Sequence, residues 1–430
     1  MLMAGALVPV TGISAASARA PSLQGLIAAA RPGAVVTVAP GVYHGHLRID
    51  KPLTLVGAPG AVLDGDGSGD VVRIAAPRTT VKGLTIRDSG TDLTVMNAGI
   101  YVEKRAYGAA LIGNRLEKVL FGIYLDGASG AKVIGNRIRG IARLRRADRG
   151  DGIHLWNDRN TLVKGNDIAD TRDGIYIYIS PQTRIVDNRL HGVRYGIHYM
   201  YSNNDEVAGN TSFGNLAGYA LMQSRNLRIH DNISDGDRDY GILLNYVTFS
   251  RFSGNRIAGV RGEADAGGAV IPGAEGKGIF VYNSEYDRFT DNTVADCPIG
   301  IHVTAGSDHD VFYGNTFLHN RAQVKYVQNM QEEWSWRGVG NYWSDYLGWD
   351  MNGDGIGDVP YRPNDGVDVL LWEYPEAALL MNSPAVLALR YVQRAFPIFA
   401  PTSVADSHPL MKPPAPSAPT DGRQRYALRN

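Results

Sequence analysis

The chain of 430 residues holds one cysteine, Cys297. Disulfides cannot staple such a fold, and a cysteine-based zinc cage is excluded. Net charge is also missing: 43 Lys and Arg stand against 43 Asp and Glu, so no global field draws the chain to nucleic acid or to an anionic membrane surface. Partners have to be recognised locally. After the first twenty residues no stretch reaches the roughly 18 to 20 apolar residues that span a bilayer. No G-x-x-x-x-G-K-[ST] occurs, so any ATP-driven process needs a second protein to supply the energy.

Glycine is abundant, with 51 residues in a chain that is 44% hydrophobic and 20% charged, the composition of a turn-rich globular protein with a large core. Residues 1–20, MLMAGALVPVTGISAASARA, are small and apolar and close on Ala18-Arg19-Ala20, the A-x-A form of a signal-peptidase site. They predict a signal peptide and export. No Lys or Arg precedes the apolar run, so the expected signal is one truncated at its start.

The rest of the chain is organised by a repeat. Gly-Ile recurs at Gly99, Gly122, Gly152, Gly174, Gly196, Gly241, Gly278 and Gly300, with Gly218-Tyr219 filling one gap, mostly at steps of 22 or 23 residues. Asn114, Asn136, Asn166, Asn188, Asn210, Asn232, Asn255, Asn292 and Asn315 keep the same steps. Self-similarity at this period means stacked units that cannot bury a core singly. A leucine-rich repeat has a similar period, but here β-branched runs are broken by Gly and Asn, with no leucine consensus and no helical face. The expected fold is all-β: a right-handed, single-stranded parallel β-helix over residues 21–330, with Asn stacked at a turn. LQGLIAAA (23–30) reads as a helical N-terminal cap on the open sheet edges. The two long steps place insertions near 139–150, which is strongly basic, and 258–276; solenoid insertions gather on one face, often the binding face.

Side chains alternate along a strand. The residues one and three after each repeat glycine point inward, and those two and four after it point outward. The outward rows are Tyr101/Glu103, Tyr124/Asp126, His154/Trp156, Tyr176/Tyr178, His198/Met200, Ala220/Met222, Leu243/Asn245, Phe280/Tyr282 and His302/Thr304. Stacked about 4.8 Å apart, they form a stripe of aromatic, imidazole and thioether groups, which marks a recognition surface or one covered by the chain itself. Tyr124, Trp156, Tyr176, Tyr178, Tyr282 and His302 are its candidate partner-binding residues. His198, Met200 and Met222 fall on adjacent rungs, with His154 two rungs away, and this mixture of thioether and imidazole suits Cu(I). Packing under a loop or the C-terminal tail explains the same residues without a metal. The stripe offers Glu103 and Asp126 as its carboxylates and no Lys or Arg, a poor set for a polysaccharide lyase, epimerase or hydrolase. The expectation is a protein that is not an enzyme.

In the segment 331–374, DMNGDGIGD places Asp350, Asn352, Asp354, the Ile356 carbonyl and Asp358 at the alternating spacing of a Ca2+ loop, although no Glu stands at the twelfth position. Beyond it, 375–399 has helical apolar spacing, and the unit 375–411 reads as a cap or as a surface docking a membrane-embedded partner. The Pro-rich tail, 412–430, is expected to be disordered.

The strings RGDGIHLWN, YGIHYMYSN, GIHVTAGS, GNYWSDYLGWDMNGDGIGDVPYRPND and LLMNSPAV together resemble the NosD family, over about residues 22 to 411. That resemblance implies a periplasmic β-helix that serves the maturation of nitrous oxide reductase. It would associate with an ABC transporter of separate ATPase and permease subunits, and touch the membrane only through the permease. It would receive copper from a chaperone lipoprotein and serve assembly of the copper-sulfide centre of the apo reductase. The family does not identify copper ligands here, so transient Cu(I) at His198, Met200, Met222 and His154 rests on the residues alone.

Overall fold

The computed structural model describes residues 22–264, 270–328, 330–365, 367, 368, 372, 383–395 and 403–415; the signal-peptide segment, much of the 375–411 unit and the tail from 416 onward lie outside them. Three parallel sheets of twelve, thirteen and twelve strands run the length of the molecule, each strand pairing with its counterpart one coil away. This is the parallel β-helix that the period requires. Helix α1 (Leu23–Ala29) starts at Ser22, whose Oγ accepts the Gly25 amide at 3.1 Å, and it buries Leu23 and Ile27 against the first coil. The open edge is thereby covered.

Two columns explain why the repeat is written in glycine and asparagine. A Cβ on Gly174 would lie 2.5 Å from the Gly196 carbonyl oxygen, and one on Gly196 would lie 2.6 Å from that of Gly218. Only glycine fits where successive backbones approach so closely. In the second column each Asn Oδ1 accepts the backbone amide of the Asn one coil earlier, as in Asn166 N to Asn188 Oδ1 and Asn188 N to Asn210 Oδ1, both 2.9 Å. Each Nδ2 donates to the next amide and to a backbone carbonyl, so these buried polar groups are satisfied. The ladder continues past Asn315 to Asn341 and ends on Asp406, whose Oδ2 accepts the Asn341 amide at 2.7 Å.

The interior is a column of Ile, Leu and Val that changes to aromatic rings toward the C-terminal end. Phe252, Phe289, Phe312 and Trp334 stack there with centroids 4.6, 4.5 and 4.0 Å apart. The chain then closes its own end: Val404–Ala405 pairs with Glu332–Glu333, and Leu410 bridges to Tyr342 and Ile356. Helix α2 (Pro384–Ala395) leaves Leu387, Tyr391 and Val392 exposed. Among the described residues no helix is long and apolar enough to cross a membrane.

Both insertions have structure. The first carries a short 3-10 turn, Arg146–Asp148, and packs Ile141 and Leu144 with Leu120, Phe121 and Tyr124 as a small second core outside the helix. In the second, Gly262–Ala264 pairs antiparallel with Val270–Glu275.

Candidate metal centre and docking face

The third sheet contains the strands that follow each repeat glycine, and its register confirms both rows. Tyr124, His154, Tyr176, His198 and Ala220 are successive partners, as are Trp156, Tyr178, Met200 and Met222. Residues three after the glycine, such as Leu155, Ile177, Tyr199 and Leu221, are fully buried inside.

The outward rows differ from a uniformly open stripe. The inner one is a ladder of rings: Tyr101, Tyr124, His154, Tyr176 and His198 have centroid spacings of 5.1, 4.5, 4.7 and 4.8 Å, stacked as far as His154, tilted at Tyr176 and edge-on at His198. Tyr124 is 2% exposed because the first insertion lies over it, so it is not presented to a partner. Trp156 (40%) and Tyr282 (37%) in the outer row do reach solvent, while Tyr176, Tyr178 and His302 are half-buried. The stripe also extends one rung beyond His302/Thr304, to Lys325/Val327, and begins at Arg48 and Arg73. It therefore has cations at both ends, contrary to the sequence expectation. Near the Lys325 end, burial together with Lys325 and Lys277 pushes His302 down to about 3, so its ring is neutral.

The two imidazoles are held by carboxylates that sequence reasoning missed. Asp173 is fully buried and accepts from His198 Nδ1 at 2.9 Å and from Arg194 Nε and Nη2 at 2.8 and 2.6 Å. Burial alone would raise this carboxyl; the bonds from Arg194 and His198 outweigh it and hold Asp173 below the usual range. One rung earlier Asp151, also fully buried, accepts from His154 Nδ1 at 2.8 Å and from Arg172 at 3.1 Å. With Nδ1 donating to a carboxylate, the lone pair of a neutral ring sits on Nε2, the arrangement that orients metal-ligating histidines. His154 Nε2 is buried without a hydrogen-bond partner.

His198 and Met200 share one strand and one outward face, and Met222 is the register partner of Met200. The Tyr176 hydroxyl donates to Met200 Sδ at 3.5 Å; burial, with Asp151 adding to it, pushes this phenol up to about 12 and keeps it protonated. The Tyr176 ring stands between His154 and His198, so His154 is a separate point on the same ladder. The signal for the acids was legible: Asp stands immediately before Gly152 and Gly174, and Arg two residues before Gly174 and Gly196.

A corner beside the outer row carries an exposed apolar ridge. Ile179, Tyr201 and Tyr246 continue a column that elsewhere holds Asn157 and Asn283; Phe249 and Tyr286 continue one with Asn160, Asn204 and Asn226. All have positive φ, from 46° to 62°, which Asn tolerates and larger residues adopt at about 1–2 kcal/mol each. Tyr201, Tyr246, Phe249 and Tyr286 are between 43% and 58% exposed. The strain goes with presenting these rings to solvent.

The five candidate Ca2+ residues lie on one exposed turn. Asp350 accepts the Gly353 and Gly355 amides at 2.6 and 2.8 Å, Asn352 accepts Asp354 N, Asp354 accepts Ile356 N, and Asp358 accepts Met351 N. The donor set is all oxygen and fits a hard cation, without the bidentate Glu of a full loop.

A family model described as "Periplasmic copper-binding protein (NosD)" matches residues 134–348, and one for a right-handed β-helix region matches 66–192. A Pseudomonas aeruginosa protein named "Probable ABC transporter binding protein NosD" is 48% identical over 412 residues, covering 96% of both chains. A Stutzerimonas stutzeri protein of the same name is 44% identical over 384 residues, covering 89% of this chain and 88% of the relative. Among solved structures, a PL6 alginate lyase complexed with a trisaccharide gives a TM-score of 0.54 at 16% identity, covering 74% of this chain and 82% of the lyase. The Dettilon tailspike protein gives 0.51 at 17% identity, covering 69% and 62%. At such identities the two structures share the fold, and fold does not carry function. The lengthwise identity to two NosD proteins, on a helix with carboxylate-held imidazoles beside paired thioethers, means that this chain belongs to the NosD family of periplasmic copper-binding proteins.

Proposed function

We propose that this protein is a periplasmic accessory of an ABC transporter that accepts copper from a chaperone lipoprotein and passes it on for assembly of the copper-sulfide centre of nitrous oxide reductase. The observation that carries the reading is His198. Its Nδ1–H donates to Asp173, which leaves Nε2 as the ring nitrogen available to a ligand, on a strand whose outward row carries Met200 beside Met222. Two thioethers and one neutral imidazole give a soft, uncharged site that binds Cu(I) and releases it readily, as a relay needs. Copper is the cargo here. His154, with its unpartnered Nε2, is a second stop along the ladder.

The names of the relatives support association with a transporter, and the exposed Leu387 and Tyr391 of α2 suit a contact with its permease. The ATPase supplies the energy, and a rigid solenoid carries a shift at one end along its length. The Asp350–Asp358 turn binds Ca2+ and steadies the C-terminal closure.

The test is anaerobic Cu(I) competition titration of the mature protein and of the His198→Ala, Met200→Ala, Met222→Ala triple variant, with folding checked by circular dichroism. Stoichiometric binding that the variant loses is the expected result. A wild type that binds no copper would leave the second reading, a docking scaffold without its own copper site, which the solvent-facing Tyr201, Tyr246, Phe249 and Tyr286 favour.

A further inference from the structure

The two insertions, remote from each other in the chain, converge on one groove. Arg146 of the first and Arg261–Ala264 of the second line an open trough of about 1170 Å³, floored by Leu216, Val260, Cys297 and Pro298. Its lining passes through five successive coils, at Asn215, Arg238, Val260, Cys297 and Arg321. Four steps of about 4.8 Å make roughly 19 Å, the span of an extended segment of about six residues.

The charge of the trough is one-sided. Arg146, Arg238, Arg261 and Arg321 face Glu263 and Asp296. Arg238 is committed to Asp239 and Glu263, and Asp296 lies 3.8 Å from His319. Among the described residues the Arg261 guanidinium bonds the Gly236 carbonyl alone, and Arg146 and Arg321 form no ion pair. Three guanidiniums are thus free to take carboxylates in a chain of zero net charge. Among the described residues no Phe, Tyr or Trp lines the trough, so it lacks the stacking platform a sugar polymer would use. The Cys297 thiol is buried and pushed up to about 11 by that burial, which removes thiol chemistry from consideration.

We infer that this groove is a docking site for an acidic, extended peptide segment of a partner protein, whose carboxylates pair with Arg146, Arg261 and Arg321 while its alternate apolar side chains rest on Leu216, Val260 and Pro298. The site lies apart from the aromatic stripe and does not rest on the copper reading.

Fluorescence anisotropy of the mature, full-length protein with a labelled peptide of alternating glutamate and valine, about eight residues long to cover the span, tests it. The expected result is saturable binding that weakens at least about tenfold in the Arg146→Ala, Arg321→Ala double variant, as loss of two charge-assisted contacts requires. It should weaken similarly when salt rises from about 0.05 to about 0.5 M. Arg321→Lys, which keeps the charge, should retain most of the binding, and Arg143→Ala, outside the lining, all of it. No saturable binding, or equal binding by the folded double variant, would overturn the proposal. An oligouronate of similar length that binds more tightly, and is lost in the same double variant, would overturn it in favour of an acidic polysaccharide.

Discussion

Replacing Asp173 by asparagine removes one charge from a fully buried position and disturbs three side-chain bonds, two from Arg194 and one from His198, beside the bond from the Tyr195 amide. An ion left buried without its partner costs about 3–5 kcal/mol. The Arg194 side chain is 33% exposed and keeps part of its water, which lowers the expected loss to about 2 kcal/mol. The consequence for copper is separate. A neutral amide no longer draws the Nδ1 proton of His198, so Nε2 is less basic and the ring less fixed. Loss of such a partner weakens metal binding about 10- to 100-fold, or about 1.4 to 2.7 kcal/mol. Urea unfolding reads the first number and anaerobic Cu(I) competition the second. Asp151→Asn, which acts on His154 two rungs before His198, is the internal control and should leave the His198 site close to wild type. If wild type binds copper and a folded Asp173→Asn protein binds it with unchanged affinity, then His198 is not a ligand oriented by Asp173, and the reasoning fails.

Gly174→Ala forces a Cβ to 2.5 Å from a backbone oxygen that the sheet cannot move, and should cost about 3 kcal/mol in urea unfolding; a loss below about 0.5 kcal/mol would show that the coils slide apart freely. Asn188→Ala strands the Asn166 amide and the Val163 carbonyl in the interior, for a comparable loss of about 3 kcal/mol, and hydrogen exchange should quicken at Asn166 if the ladder is what protects it. Burial pushes Asp158 up to about 8 and Asp205 and Asp287 to about 7, against about 3.9 in an unfolded chain. Their folded forms keep the proton, so the stability they add is complete below about pH 4 and is lost as pH rises through 7 to 8. His302, held at about 3, acts oppositely but is neutral in both states above about 6.5, so the melting temperature should fall between pH 6.5 and 8, and less so in Asp158→Asn; a flat or rising curve there would contradict these shifts. Calcium at about 1 mM should stabilise the protein by about 1.4 kcal/mol if the Asp350 turn binds with the roughly 0.1 mM affinity of extracellular modules, and Asp350→Ala should abolish the gain.

The repeat by itself determined the fold and, over the rungs from Gly99 to Gly300, the register and the direction of the side chains on the third sheet. It could do so because each coil meets the same local demands, a backbone approach that admits only glycine and a turn amide that must be capped by asparagine, at a nearly constant step. Period-two alternation then sorted His198 and Met200 outward and Tyr199 inward without any knowledge of contacts. The tertiary structure decided what that alternation does not encode. Tyr124 points outward yet is buried, because an insertion folds back over it; nothing local to Tyr124 reports a cover made of residues 141 and 144. His198 finds its carboxylate on the previous coil and that carboxylate takes Arg194 from the coil of His198, so the triad exists only once two coils are stacked. The groove between Arg146 and Arg321 depends on the same physics at longer range, since two loops far apart in the chain become neighbours only through the rise of the coils between them. Periodicity fixes where a side chain starts; the covering loops and the adjacent coils fix what it meets.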